Sequence, residues 1–489
     1  MATSIPRNEA AFTQWELAVA CDGDLTRLAD DGAPVVGVVT DSRGIGPGNV
    51  FVAVHGDSFD GHDFLAAAID RGASALVVER GRSVPPGRVA VVEVDDTLSA
   101  FGGIARAHVR RWRRTARATT RVGALTGSAG KTTTKELVAA ILSVVDGCLA
   151  TAGNLNNRVG VPSMALCLQR QRYAVFELGM SVPGEIGALA GIVEPDVAAL
   201  LNVGVAHAEG FGGSRAGIAR EKGAIFDGLA AAGVAVVNLD DAAARAQVLR
   251  TRARVVGFGV SSDADVRLVR REALGVHGSR LTVDRAGSSF EVSLPVAGEA
   301  AALDLVAAVA ITDAMIGTPV PADRIAEAMA AWRPIEGRSS LVELAGDILV
   351  VDDSYNANPA SMRAALATLD EVKRAAPGRA IAVLGEMREL GALSLSEHES
   401  LGEELARHPV DVVIGCGGAI DATLRCAEER GLEVKYARNA EDAGALVAGI
   451  AQAGDVVLFK GSRGATVERA LAVLVARHPR LTSRPGGAP

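Results

Sequence analysis

Cysteine is sparse and badly placed for pairing. The five residues (Cys21, Cys148, Cys167, Cys416 and Cys426) are odd in number, scattered and without C-x-x-C spacing. That excludes a disulfide framework and a structural zinc site, and it implies a reducing, cytoplasmic setting. Long apolar runs are also missing. No stretch reaches membrane length, and the opening Met-Ala-Thr-Ser-Ile-Pro has no basic region followed by an apolar core, so neither a membrane anchor nor a secretory leader is expected. Nor is there an excess of positive charge: 50 Lys+Arg against 58 Asp+Glu gives a net −8, which argues against a general nucleic-acid binder. Aromatics make up only 3% of the chain, and no repeat of solenoid period is visible. What remains is 49% hydrophobic and 22% charged, rich in Ala and Gly, the composition of a globular α/β chain. Its 489 residues suffice for about three domains.

The strongest positive signal is Gly123-Ala-Leu-Thr-Gly-Ser-Ala-Gly-Lys-Thr-Thr-Thr134, a glycine-rich loop between an apolar strand and a helix. Leu137, Val138, Ile141, Leu142 and Val145 recur at helical spacing after it. The stretch reads as a phosphate-binding loop. A turn of Gly127, Ser128, Ala129 and Gly130 aims backbone N–H groups at phosphate oxygens, and the N-terminus of the helix adds partial positive charge. Lys131 is then expected on the β/γ-phosphates, the Thr132 hydroxyl on Mg²⁺, and Thr133 beside them in the same turn. The general pattern wants glycine five residues before Gly130, where this chain has Leu125. A shortened G-x-x-G-K-T loop is the accurate description.

Strand and helix signals divide the chain into an N-terminal α/β unit over 1–117, a central P-loop unit over 118–335 and a C-terminal unit over 336–483, with a frayed tail at 484–489. The first unit has apolar runs at Val35–Thr40, Asn49–Val54 and Ala75–Glu79. The second has them at 122–125, 174–177, 197–201 and 234–238, separated by helical stretches, which predicts a mostly parallel sheet with crossovers. Trp332-Arg-Pro-Ile-Glu-Gly-Arg338 breaks the pattern. Beyond it, runs at 348–352, 380–384, 410–414 and 456–459 alternate with helices, predicting a doubly wound, Rossmann-like domain. The arginine run from Arg106 to Arg121, with Arg110, Arg111, Arg113, Arg114 and Arg117 around Trp112, reads as a solvated helix or linker.

Three side chains outside the loop bear on the chemistry. Glu177 ends the run Tyr-Ala-Val-Phe-Glu, where P-loop enzymes place a carboxylate that reaches Mg²⁺. His207 follows a strand's carboxyl end beside the expected phosphate site; local sequence leaves an ordinary histidine and a ligand both open. Lys222, on an expected helix, reads locally as a solvated lysine.

Beyond the loop the chain carries Gly153-Asn-Leu-Asn-Asn-Arg-Val-Gly-Val-Pro162, Glu177-Leu-Gly-Met180, His207-Ala-Glu-Gly-Phe211 and Glu221-Lys-Gly-Ala-Ile-Phe226. Further on come Asp352-Asp-Ser-Tyr-Asn-Ala-Asn-Pro359, Leu384-Gly-Glu-Met-Arg-Glu-Leu-Gly391 with His398 after it, and Lys460-Gly-Ser-Arg463. In these motifs the chain resembles the ATP-dependent Mur ligases over nearly its full length. Asp-Asp-Ser-Tyr-Asn-Ala-Asn points to the branch that adds D-alanyl-D-alanine, and the Asp-Asn-Pro-Arg motif of the neighbouring branch is absent. Thr40-Asp-Ser-Arg43 and Gly56-Asp-Ser-Phe-Asp-Gly-His62 look like the portion that holds the uridine-diphosphate sugar.

The resemblance implies UDP-N-acetylmuramoyl-tripeptide and D-Ala-D-Ala as substrates, ATP and Mg²⁺ as cofactors, and a monomer as the working unit. It places Thr132, Glu177, His207 and a CO₂-carbamylated Lys222 around the metals. It also implies Ser42, Arg43, Asn154, Asn157, Tyr355, Asn358, Lys460 and Arg463 at the substrates, with Arg338, Asp353 and Asn356 closing over ATP. One departure stands out. Where the family has Gly-x-His-Asn-x-x-Asn, this chain reads Gly298-Glu-Ala-Ala-Ala-Leu-Asp304. An ionised Asp304 in place of the base-contacting Asn accepts hydrogen bonds but donates none, so weaker or less selective nucleotide binding is expected. Two other readings fit less well: a folylpolyglutamate- or cyanophycin-type ligase, against which the UDP-sugar-like N-terminal part argues, and a non-catalytic nucleotide-binding scaffold, which has no need of Lys131, Glu177, His207 and Lys222 together.

Overall fold

The computed structural model describes residues 3–29, 32–56, 59–116, 119–285 and 287–481. The expected tail at 484–489, Arg117, and Asp57 and Ser58 of the glycine-flanked motif lie outside the described residues.

Three large sheets follow one another along the chain, beside two small two-stranded pairs near the N-terminus. The first has five strands in the order Asp24–Arg27, Ala90–Val94, Ala75–Glu79, Val50–Val52, Val38–Val39, parallel except for the antiparallel edge strand Asp24–Arg27. Nine strands form the second, in the order Cys148–Ala150, Tyr173–Glu177, Arg121–Thr126, Val197–Leu200, Val234–Asn238, Arg254–Gly259, Val266–Ala273, Ser279–Arg285, Ser288–Leu294. It is parallel up to Val266–Ala273 and then turns antiparallel. The third has six strands, Ser340–Leu344, Ile348–Asp353, Val456–Lys460, Ala380–Gly385, Val412–Cys416 and Glu433–Ala437, parallel but for the first pair.

The central parallel strands are legible because helices cover both faces, which turns each strand into a continuous apolar run. Tyr173–Glu177 and Val197–Leu200 are buried throughout. On one face of this sheet the core runs on into the N-terminal part, joining Phe176, Leu189 and Val193 to Phe101, Ile104 and Trp112. The other face is sealed by the helix Lys131–Ser143 and by the alanine-rich helix Glu299–Ile316, which pack against each other. Strand Arg121–Thr126 lies between Tyr173–Glu177 on one side and Val197–Leu200 on the other. The chain reverses its winding there, and such a switch point opens a crevice at the strands' carboxyl ends.

Of the solvated helix or linker expected from sequence, the arginine run is the helix, its arginines exposed or half-buried while its other side packs into the core. It forms the helix Thr97–Thr115, with Trp112 2% exposed and its indole N–H donating to the Gln171 carbonyl at 3.1 Å. Arg113 pairs with Asp196 at 2.9 Å and Arg110 pairs with Glu194. The charges sit on the rim of a helix whose apolar side is core, so they clamp it to the central sheet. Trp112→Ala should cost about 3–5 kcal/mol, the usual loss for truncating a buried Trp, read as a lowered urea midpoint. An unchanged midpoint would show that the helix does not hold the two parts together.

Candidate active site

The loop at the switch point faces a cleft of about 900 Å³ between the central and C-terminal sheets. Gly130 has φ +78°, and a Cβ there would lie 2.2 Å from an Asp304 carboxylate oxygen, so only glycine fits. The N–H groups of Ser128 and Ala129, expected to face phosphate, instead donate to the Asn202 side chain at 2.9 Å each. Asn202, at the end of the neighbouring strand, braces the loop. The donors left for an anion are those of the first turn of Lys131–Ser143, which no helix can satisfy internally.

Lys131 and Lys222 both donate to the Gly127 carbonyl, at 2.9 and 3.0 Å. Lys222 is 1% exposed and so is not the solvated lysine of the local reading. Burial, and then the Lys131 charge, hold its pKa well below the usual lysine value. Burial also lowers the pKa of Lys131, partly opposed by Glu177. Glu177 is fully placed by its neighbours. The Thr132 hydroxyl donates to one carboxylate oxygen at 2.9 Å, the Asn156 amide to the other at 2.7 Å, and its own N–H donates to the Thr151 hydroxyl at 3.0 Å. The Thr151 carbonyl is in turn held by Lys135, a lysine with no exposed surface that also pairs with Glu136. Among the described residues no three His, Cys, Asp or Glu side chains gather as a metal cluster. Thr132 beside Glu177 nevertheless suits Mg²⁺, which takes one or two protein oxygens and completes its shell with water and phosphate.

Asp304 corrects the sequence reading. Its carboxyl accepts from the Thr134 hydroxyl at 3.2 Å, and burial pushes its pKa up to about 8. At neutral pH it is therefore mostly protonated and can donate, as an amide does.

From the far wall, Arg338 lies over the Tyr355 ring at 4.1 Å and Arg463 over the same ring at 5.5 Å. Asp353 accepts from the Ser339 N–H at 3.1 Å and pairs with Lys460, which also donates to the Asn356 carbonyl at 3.0 Å. Lys460 is 1% exposed, so it fixes this wall more than it offers a free charge. Asn358 caps the helix Pro359–Arg374 through Ser361 and donates its amide to the Ser128 carbonyl at 3.0 Å, bridging the domains. Asn154 lines the cleft. So does Asn157, whose side-chain oxygen accepts from Gly160 N–H at 2.8 Å. Ser42 and Arg43 do not line it: Arg43 is paired with Asp41 on the exposed side of the first sheet, and the Ser42 carbonyl accepts from Arg71. His207 lines the cleft at φ +61° and is bonded through Nδ1 to Glu389 of the C-terminal domain.

Sequence reasoning missed Asn156, Asn202, Lys135 and Glu389. Asn156 sits inside a motif in which the neighbouring Asn154 and Asn157 carry the resemblance, and Asn202, Lys135 and Glu389 reach the site through contacts distant in sequence.

A phosphate-binding loop at a switch point, facing a second α/β domain across a cleft, is the architecture of a multidomain P-loop enzyme. Comparison with known proteins agrees. The Mur ligase middle domain matches residues 125–312, the glutamate ligase domain of Mur ligases residues 337–463, and the Mur ligase catalytic domain residues 34–109. The chain belongs to the Mur ligase family. It is 37% identical over 441 residues to the UDP-N-acetylmuramoyl-tripeptide--D-alanyl-D-alanine ligase of Escherichia coli K12, covering 89% of this chain and 93% of that protein. Its structure is similar to that of MurF from Acinetobacter baumannii, with a TM-score of 0.85 at 32% identity over 96% of this chain and 100% of that one. A MurF ligase from Thermotoga maritima in complex with ADP gives 0.78 at 30% identity over 90% and 97%.

Proposed function

We propose that this chain joins D-alanyl-D-alanine to UDP-N-acetylmuramoyl-tripeptide with cleavage of ATP to ADP and phosphate, a step of peptidoglycan precursor assembly in the cytoplasm. The observation that carries it is one cleft with Lys131, Thr132 and Glu177 on one wall and Arg338, Asp353, Tyr355 and Asn356 on the other. Similarity to MurF proteins over nearly the whole chain supplies the substrates. Folylpolyglutamate- and cyanophycin-type ligation has less support.

A carboxylate is a poor acyl donor. The terminal carboxylate of the tripeptide attacks the γ-phosphorus, forming an acyl phosphate and expelling ADP. The amine of D-Ala-D-Ala then adds to the acyl carbon, and the tetrahedral adduct expels phosphate and loses a proton. Lys131 offsets the charge on the transferring phosphoryl group, and the cleft between two docked domains keeps water from the acyl phosphate. Thr132 and Glu177, with His207 nearby, would hold Mg²⁺, which supplies charge neutralisation to the phosphates when bound. Carbamylation of Lys222 is the finer part of this reading. It is supported by the burial of the amine and by the lowering of its pKa through that burial and the Lys131 charge, which favours the neutral form that adds to CO₂. The N-terminal unit (1–117) takes the UDP-sugar, the central one (118–335) ATP, and the C-terminal one (336–483) D-Ala-D-Ala.

The test is phosphate release by purified protein, with each substrate alone and with both. Release that needs both supports the ligase, and release indifferent to D-Ala-D-Ala overturns it. Nucleotide recognition adds a pH signature. Because Asp304 donates only while protonated, the KM for ATP should rise as pH passes through about 8. In Asp304→Asn the KM should match the wild type's below that pH and stay flat above it, with kcat little changed, since a base contact is uniform binding. Identical pH profiles of KM in the two proteins would remove Asp304 from the base contact.

A further inference from the structure

The motif Leu384-Gly-Glu-Met-Arg-Glu-Leu-Gly391 and His398 take no part in the chemistry above, yet they form a loop held at several points. His398 has no exposed surface. Its Nδ1 bonds the Ser394 carbonyl at 2.7 Å and its Nε2 accepts from the Met387 N–H at 3.0 Å, so the ring is neutral. The Arg388 N–H donates to the Ser462 hydroxyl at 2.9 Å, the Ser462 N–H to the Glu386 carbonyl at 3.1 Å, and Arg388 Nε to the Glu386 carboxylate at 2.6 Å. At the tip, Glu389 stands in the left-handed region at φ +61°, which turns its side chain to Nδ1 of His207 in the central domain. The Glu389 carbonyl accepts from the Glu209 N–H at 3.1 Å, and a Cβ on Gly391 would lie 3.2 Å from Glu209 Cα, so the two backbones are in contact.

The geometry points to Glu389 as a positioning residue that hands domain closure to the metal site. A carboxylate on one imidazole nitrogen fixes the ring and its tautomer and makes the other nitrogen a better ligand. His207 lines the cleft, and its Nε2 has no hydrogen-bond partner among the described residues. The carboxylate arrives from the other domain, so His207 is oriented only while the domains are docked. By linkage the metal must favour the docked state to the same degree. The nucleotide is thereby readied for phosphoryl transfer only in a cleft that already excludes water.

This inference rests on the metal reading above, so its test separates the two. Mn²⁺ binding is measured by electron paramagnetic resonance on the full chain with a non-hydrolysable ATP analogue and the UDP-tripeptide. Wild type, Glu389→Ala, Glu389→Gln and Arg271→Ala are compared. Arg271 pairs with Glu371 across the same domain boundary but lies outside the cleft lining. Glu389 is 56% exposed on its side chain, so the variants should fold, which circular dichroism checks. Glu389→Ala should bind Mn²⁺ 10- to 100-fold more weakly, with metal-free nucleotide affinity unchanged. Glu389→Gln, whose amide oxygen still accepts from Nδ1–H, should recover part of the loss, and Arg271→Ala should show little. Wild-type affinity in Glu389→Ala, or an equal loss in Arg271→Ala, overturns the positioning role. A wild type that binds no Mn²⁺ overturns the metal reading and this inference with it.

Discussion

Lys131→Ala is expected to lower turnover by a factor on the order of 10² to 10⁴, comparable to other losses of a charge partner in the transition state, with the fold intact. Its ammonium donates to the Gly127 carbonyl and borders the cleft, so removing it opens no cavity in the core. Burial already strains this charge, and a second cationic group, Arg338, adds to the strain across the cleft. A nucleotide's phosphates relieve both. Charge on the phosphoryl oxygens and the leaving group shifts most at the transition state, so kcat should fall by more than the affinity for ATP. Steady-state kinetics with a far-ultraviolet spectrum check this. Near-normal turnover in a folded variant would place the γ-phosphate away from the loop.

The loop was readable because everything it needs is local: glycines at fixed offsets, an apolar strand before and a periodic helix after. The buried parallel strands were readable for a similar reason, two covered faces giving one apolar run. The antiparallel strands from 266 to 294 escaped because they mix exposed polar residues with buried ones along their length, a weaker signal than a solid run. Strand Val412–Cys416 lies two residues beyond the expected 410–414, since apolar content does not say where pairing starts. The arginine run was legible as a helix or linker with solvated charges, but charge density masked its apolar side. Trp112, Val109 and Ile104 share that buried side.

The site was harder to read, for a physical reason. Side chains such as Lys222, Asn202 and Glu389 gain their roles from strand order and domain docking, which no window of sequence displays. One compositional signal was available. The chain's positive charge is almost all arginine; its lysines are Lys131, Lys135, Lys222, Lys373, Lys435 and Lys460. Three of these six, Lys135, Lys222 and Lys460, are almost wholly buried, and Lys131 borders the cleft together with Lys460. Where arginine serves at the surface, a retained lysine marks a place that needs a compact head group or one that can shed its proton.

Lys222 is the sharpest case, and Lys222→Ala should lose activity by a factor on the order of 10² to 10³, the scale for one electrostatic partner of the transition state. The helix Arg215–Gly223 carries it beneath the loop, and Glu221 beside it anchors that helix by accepting from the Gly184 and Ile186 N–H groups at 2.8 and 2.9 Å. Two roles are open to a buried amine in this place. As an amine it braces the Gly127 carbonyl. As a carbamate, formed when the neutral nitrogen adds to CO₂ and releases a proton, it presents anionic oxygens of the kind Mg²⁺ prefers. The variant separates them. A carbamate's loss leaves a space that acetate or another short carboxylate can fill, so Lys222→Ala should then recover part of its activity, and wild-type activity should fall in buffer stripped of CO₂ and return with bicarbonate. Loss of activity with neither rescue nor CO₂ dependence would assign Lys222 to bracing the loop alone, and full activity in the variant would remove it from the mechanism.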